Sequence, residues 1–222
     1  MTPLSARHWN GNQVCSIDIE TTGLDPYIHE IIQIALLPLD HAFIPRTDVN
    51  PFYVNIKPEC PELFDSKADA QLDYNEAGTR KHHISKSKLT EICLHGFDPE
   101  AVKEMLYTWL GQLKLPCTKW GKPKVVFPLG HNFAHDRAFL MKWLGQQNYE
   151  EFFGTIHCDT MVTAQYMNDQ AAFHSNAVPF SKIDLTWLAR VFRIDTVGRH
   201  DALVDAKITA DVYREMCKMG VL

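Results

Sequence analysis

Ser16-Ile17-Asp18-Ile19-Glu20-Thr21-Thr22-Gly23-Leu24-Asp25 sets two carboxylates two residues apart inside an otherwise apolar strand. Because side chains alternate across a strand, Asp18 and Glu20 project from the same side. There they repel each other and lose water, which is costly without a cation between them. A metal site is the natural reading. The competing one is a solvent-facing acidic pair at the end of an edge strand, and the rest of the chain has to decide.

The chain has 222 residues, 45% hydrophobic and 22% charged, which suits one α/β domain over 1–222 with a substantial core. No run of 18 apolar residues occurs and the first twelve residues are polar, so a membrane-spanning or secreted protein is disfavoured. The six cysteines are widely scattered and form no CxxC pair, which argues against a thiolate zinc site. Free thiols in the cytoplasm or another reducing intracellular compartment are the simpler account. A net charge of −5 argues against binding long nucleic acid through a broad basic surface. A short single-stranded end needs only local cationic contact, and bound divalent ions would neutralise several acids.

Residues 14–19 and 31–37 read as an antiparallel strand pair joined by a turn with Gly23 and Asp25-Pro26, and residues 52–56 as a third strand. Residues 58–95 are the least regular part, acidic from Asp65 to Glu76 and basic from Arg80 to Lys88. They read as a helical or irregular excursion, since they lack the apolar residues for a core of their own. Lys86 and Lys88 on its basic half are candidate phosphate contacts, against the plain alternative of a solvated face. Asp98-Pro99-Glu100 opens a helix through Leu110, with Asp98 as N-cap, Pro99 in the first turn and Gly111 beyond the end. A strand over 124–130, spoiled somewhat by Pro128, precedes helices expected over 135–144, 159–167, 185–191 and 202–216. A three-stranded start followed by helices around one further strand predicts an α/β fold with a mixed sheet flanked by helices.

Two further acids stand out. Asp136 falls in the first turn of a helix, where its charge is favoured, with Asn132 placed to fix the preceding loop and Phe139 and Leu140 to anchor the helix. Asp205 sits among Ala, Leu and Val in Gly198-Arg199-His200-Asp201-Ala202-Leu203-Val204-Asp205-Ala206, so it faces the buried side, while Asp201 is read as surface or supporting. His200 precedes this helix, where an imidazole can reach water.

Together, Asp18-Ile19-Glu20-Thr21-Thr22-Gly23-Leu24, Asn132 with His135-Asp136 and Phe139-Leu140, and His200 five residues before Asp205 resemble the DEDD superfamily of 3′–5′ exonucleases, in its DnaQ-like branch with a catalytic histidine. A tyrosine four residues before the last Asp would mark the sister branch, and Asp201 stands there. The likeness spans about residues 14–215. It implies an RNase H-like fold and two Mg2+ ions, with Mn2+ as substitute, held by Asp18, Glu20, Asp136 and Asp205. In that scheme Asp18 bridges the ions, Glu20 and Asp205 serve the nucleophile side, Asp136 the leaving-group side, and His200 is the general base. Thr21 and Thr22 would meet the terminal sugar, Leu24 would wedge against the last base, and Asn132 and His135 would lie near substrate. His135 departs from the family's frequent aromatic before the third acid, and residues 58–95 are long for a compact member.

The implied reaction is hydrolysis of terminal phosphodiesters from a nucleic-acid 3′ end, releasing nucleoside 5′-monophosphates, with single-stranded DNA favoured over RNA. Three alternatives stay open: a polymerase-associated proofreading subunit, an exoribonuclease trimming short RNA, and an inactive nucleic-acid-binding or assembly module. Self-association is open as well.

Overall fold

The computed structural model describes His8 and residues 11–60, 72–74, 80–82, 86–115, 117–122 and 124–220. Its central strand is β1 (Gln13–Thr21), flanked by β2 (Ile31–Pro38), with β3 (Phe52–Asn55) beyond. On the other side of β1 come β6 (Val126–Gly130) and β7 (Cys158–Asp159), giving the order β3-β2-β1-β6-β7. β1–β2 and β2–β3 are antiparallel, whereas β1–β6 and β6–β7 are parallel. The mixed sheet flanked by helices is thus present as expected. Pro128 is tolerated in β6 because β7 pairs only with Leu129 and Gly130, beyond the proline.

The excursion holds more order than its composition suggests. β4 (Leu72–Tyr74) and β5 (Arg80–His82) form a separate antiparallel ribbon, and α1 (Lys86–His95) follows. Three-residue strands are too short to display a period in sequence. Residues 61–71, 75–79 and 83–85, which carry much of the charge noted there, lie outside the described residues.

The remaining helices are α2 (Pro99–Gln112), α3 (Phe133–Leu144), α4 (Gln146–Phe152), α5 (Thr160–Phe173), α6 (Leu185–Val191) and α7 (Ala202–Met219). Asp98 caps α2 as expected, its Oδ1 accepting from the amides of Glu100 at 2.9 Å and Ala101 at 3.3 Å. The helix runs one residue past Gly111, and α5 extends six residues beyond the expected Met167. The seven-residue α4 and two-residue β7 were not anticipated. No helix among the described residues is long and apolar enough to cross a membrane. Cys15, Cys93, Cys117, Cys158 and Cys217 carry free thiols, in line with the expectation.

Alternation along β1 and β2 sorts the core onto two faces. Cys15, Ile17, Ile19, Ile34 and Leu36 pack with Val102, Leu106, Phe133, Phe139 and Leu140 of α2 and α3. Val14, Ala35 and Leu37 pack on the opposite face against Ala202, Ala206 and Ala210 of α7. These alanines recur every four residues and form a narrow stripe. Small side chains let the helix axis come close to the sheet, which carries Asp205, next to Ala206, toward the β1 face bearing Asp18 and Glu20.

Asp159, at the end of β7, joins two helices to the sheet. Its carboxylate accepts from the amides of Asn132 (3.1 Å) and Phe133 (2.8 Å) at the start of α3, and from those of Met161 (2.8 Å) and Val162 (3.3 Å) at the start of α5. It therefore supplies acceptors to donors that helix starts leave unsatisfied. Asn132, expected to brace this loop through its side chain, makes no capping bond and contributes a left-handed backbone turn with φ 56° instead. A cap is worth about 1 kcal/mol and a stranded buried donor about 1–3 kcal/mol. Replacing Asp159 by Ala is expected to lower the unfolding free energy by about 2–4 kcal/mol, with Asn losing clearly less. Urea denaturation measures this, and a loss below 1 kcal/mol for Ala would contradict the double-cap role.

Candidate active site

Asp18 and Glu20 occupy the second half of β1, opposite Ala35 and Gln33 of β2, and the pairing shifts register between Glu20 and Thr21. Such irregularities bend the strand and re-aim its end. The turn that follows is tight: Thr22 is buried, its hydroxyl accepts from the Glu30 amide at 2.9 Å, and the Thr21 hydroxyl donates to the Gly23 carbonyl at 2.6 Å. A Cβ on Gly23 would stand 2.2 Å from the His29 ring, so only glycine fits there.

Three donor groups meet above β1. Ligand atoms of Glu20, His200 and Asp205 lie within 4.8 Å of one another. Asp18 and Asp136 do not join that tight group, but each is drawn into the same electrostatic neighbourhood. Asp136 is buried near the start of α3, and its Oδ1 accepts from the Ile19 amide at 3.1 Å, between Asp18 and Glu20 in sequence. This bond ties the α3 carboxylate directly to the acidic strand.

The acids are held in a state that favours protons. Burial, then repulsion from Asp136, Asp205 and Glu20, pushes the Asp18 carboxyl well above the usual range, with Arg199 opposing. Burial and then Asp205 raise Glu20 to about 8 against Lys88 and Arg199, and burial raises Asp136 to about 8 against its backbone hydrogen bonds. Two unit charges within 4.8 Å repel by about 3 kcal/mol or more at an effective dielectric near 20. The cation already present is Arg199. Its Nε lies 3.2 Å from Asp205 Oδ1, its Nη2 3.3 Å from Asp205 Oδ2, and its Nη1 donates to the Thr186 hydroxyl. One guanidinium against several carboxylates leaves an excess of negative charge. Hard carboxylate oxygens suit a divalent cation, so Glu20 and Asp205, with the His200 imidazole beside them, fit the metal expected from the sequence.

The other expected residues fall variously. Leu24 is exposed on the turn after β1. His135 is half-buried and packs on Phe139 with ring centroids 4.9 Å apart, and burial lowers its pKa. Its contact is with α3's own core side chain. The side chain of Lys86 lies outside the described residues. Lys88, a candidate phosphate contact against a solvated face, donates to the His200 carbonyl at 3.0 Å and to Asp201 Oδ2 at 3.1 Å. Asp201 caps α7 through the amides of Leu203 (3.1 Å) and Val204 (3.4 Å), so its role is structural. Sequence reading passed over Arg199, although it adjoins His200, and over Asp159, whose position before Thr160 is an N-cap signal.

No family model matches the chain. It is 26% identical over 219 residues to ribonuclease T of Wigglesworthia glossinidia brevipalpis, spanning 92% of this chain and 86% of that protein. It is 31% identical over 131 residues to the oligoribonuclease of Buchnera aphidicola subsp. Baizongia pistaciae (strain Bp), covering 58% of this chain and 69% of the relative. Among solved structures, the zinc-bound E. coli exonuclease I–single-stranded DNA complex superposes with a TM-score of 0.67 at 15% identity, over 94% of this chain. The present chain spans only 41% of that structure's length. The architecture is the RNase H-like one of metal-dependent exonucleases. Within it, the chain belongs to the DnaQ-like branch of the DEDD 3′–5′ exonucleases, enzymes that work with divalent metal.

The raised carboxyls set a sign for stability. A carboxyl whose folded pKa exceeds its unfolded value near 4 stabilises the fold most below that value and ceases to do so as pH rises through the folded pKa, here about 8 for Glu20 and Asp136. In EDTA the melting temperature is expected to fall between pH 6 and pH 9. Mg2+ should raise it more at pH 9 than at pH 6, because the cation binds the ionised acids. Thermal scans with and without Mg2+ test this; an EDTA profile that is flat, with equal gains from Mg2+, would contradict it.

Proposed function

We propose that this chain, acting as one catalytic domain over 1–222, removes nucleotides one at a time from the 3′ end of short single-stranded nucleic acid and releases nucleoside 5′-monophosphates. The observation that carries the reading is the convergence of Glu20, His200 and Asp205 on one point, in a cleft to which Asp18 and Asp136 bring two further carboxyls that burial pushes toward their protonated form. Asp18, Glu20, Asp136 and Asp205 are the residues to hold two Mg2+ ions, or Mn2+ in their place. When bound, the ions supply charge stabilisation at the attacking and departing oxygens.

The protein's own groups have distinct tasks. His200 takes the proton of the attacking water, since a neutral imidazole near Glu20 and Asp205 can accept it around neutral pH. The Asp136 carboxylate is fixed by the Ile19 amide, which keeps the third acid in register with the first two. Leu24, exposed beside the rigid Thr21–Gly23 turn, packs against the terminal base, and the turn backbone faces its sugar. Contacts of this kind read shape and not sequence, so little base preference follows.

The expected preference for DNA over RNA draws no support from the relatives. Two of them are named as ribonucleases, and one neighbouring structure holds single-stranded DNA. Short RNA is therefore the first substrate, with DNA the second reading. The relatives named above lend the proofreading alternative no support either.

Asp18→Asn should lower kcat by at least about a hundredfold while leaving the fold intact by circular dichroism. His200→Ala should lower kcat by about 10²–10⁴-fold with metal affinity by calorimetry near wild type. Matched 5′-labelled RNA and DNA pentamers report polarity and sugar preference together. Unchanged turnover in Asp18→Asn would remove the metal site, and shortening from the 5′ end would overturn the polarity.

A further inference from the structure

His200 has a left-handed backbone, with φ 66°, which residues bearing a Cβ seldom hold unless both flanking peptide groups are restrained. Both are restrained here. Its amide donates to Asp205 Oδ2 at 3.4 Å, and its carbonyl accepts from Lys88 Nζ at 3.0 Å. Lys88 comes from α1, 112 residues earlier in the chain. The same ammonium group lies 3.1 Å from Asp201 Oδ2.

Behind that contact stands a connected set of side chains. The Tyr53 hydroxyl donates to Asp201 Oδ2 at 2.6 Å and accepts from Gln33 Nε2 at 2.9 Å. Gln33, fully buried in the apolar β2, also donates to Asn55 Oδ1 at 2.7 Å and accepts from the Ala202 amide at 2.7 Å through Oε1. Asp201 and Ala202, which join His200 to α7, are thus pinned to β2, β3 and α1 at once. An ammonium can serve a carbonyl and a carboxylate together because it carries three rotatable donors on a compact charge. A fully satisfied polar set of this kind fixes one geometry where an apolar contact would allow several.

We propose that Lys88 is a positioning residue: through the His200 carbonyl, and with Tyr53 bracing Asp201, it holds the His200 imidazole over Glu20 and Asp205. The inference rests on the reading of His200 as general base. It makes α1 of the 58–95 excursion part of the catalytic apparatus, and it assigns Lys88 to the proton-transfer step in place of a phosphate contact.

The test compares Lys88→Met, Lys88→Arg, Tyr53→Phe, His200→Ala and the Lys88→Met/His200→Ala double variant on one labelled RNA pentamer, with Asp18→Asn as control. Lys88→Met should lower kcat about tenfold or more while KM and its salt dependence stay within about twofold. Tyr53→Phe should lower kcat in the same way with no change of charge, and Lys88→Arg should recover part of the loss. In the His200→Ala background, Lys88→Met should cost little further, because its effect passes through the missing imidazole. A raised KM with a shallower salt dependence and unchanged kcat would make Lys88 a phosphate contact and overturn the proposal. So would a loss of full size in the His200→Ala background. If Lys88→Met does not fold, wild-type kcat in Tyr53→Phe overturns it alone. Wild-type turnover in Asp18→Asn would bring down the reading of the site itself, whereas inactivity of Asp18→Asn beside a wild-type Lys88→Met would remove the positioning role only.

Discussion

Four carboxyls share one cleft, where burial and mutual repulsion push Asp18, Glu20 and Asp136 toward their protonated form, and most of the surrounding structure can be understood as the means of keeping them together. Asp18 and Glu20 arrive on one strand by simple alternation, Asp205 on a helix laid close to that strand, and Asp136 near the start of a helix anchored from elsewhere. Each carrier is fastened by polar bonds that do not depend on the site being filled: the Ile19 amide to Asp136, and Asp159 to the start of α3. The repulsion is countered in part by Arg199 and Lys88, which pull Glu20 back toward ionisation. Divalent metal, which the family uses, would add to what these two cations begin.

This arrangement also bears on how an acidic protein handles an acidic substrate. A net charge of −5 disfavours long-range attraction of nucleic acid over the molecule as a whole. Under the proposed function, charge reversal would be local and would come from the cleft once cations are bound. Substrate and metal binding would then be coupled by electrostatics, since each bound ion would remove part of the charge that repels a phosphate.

The parts legible in sequence are those with a short period or a local signal. Two-residue alternation placed Asp18 and Glu20 on one side, the apolar neighbours of Asp205 marked it as facing inward, and Asp98-Pro99 marked the start of α2. What could not be read depends on distant partners. Gln33 is a polar residue in an apolar run, and its use appears only when Tyr53 and Ala202 are brought to it by folding. Lys88 belongs to a run of positive charge, and nothing nearby in sequence distinguishes it from the other basic residues there. Its carbonyl and carboxylate partners lie more than a hundred residues away. β7 is two residues long, below any periodicity, yet it ends in the Asp159 that holds two helices.

The alanine stripe of α7 carries a cost for the evolution of this fold. Proteins commonly gain stability by adding methyl groups to an interior interface, but Ala202, Ala206 and Ala210 form a spacer whose thinness sets how far Asp205 stands from β1. A bulkier side chain there would pry the helix outward and detune the cleft while tightening nothing else. Thermal robustness in this lineage therefore has to be accumulated away from that seam, in the aromatic cluster under α2 and α3 or in the packing of α5 and α6 against the far side of α7.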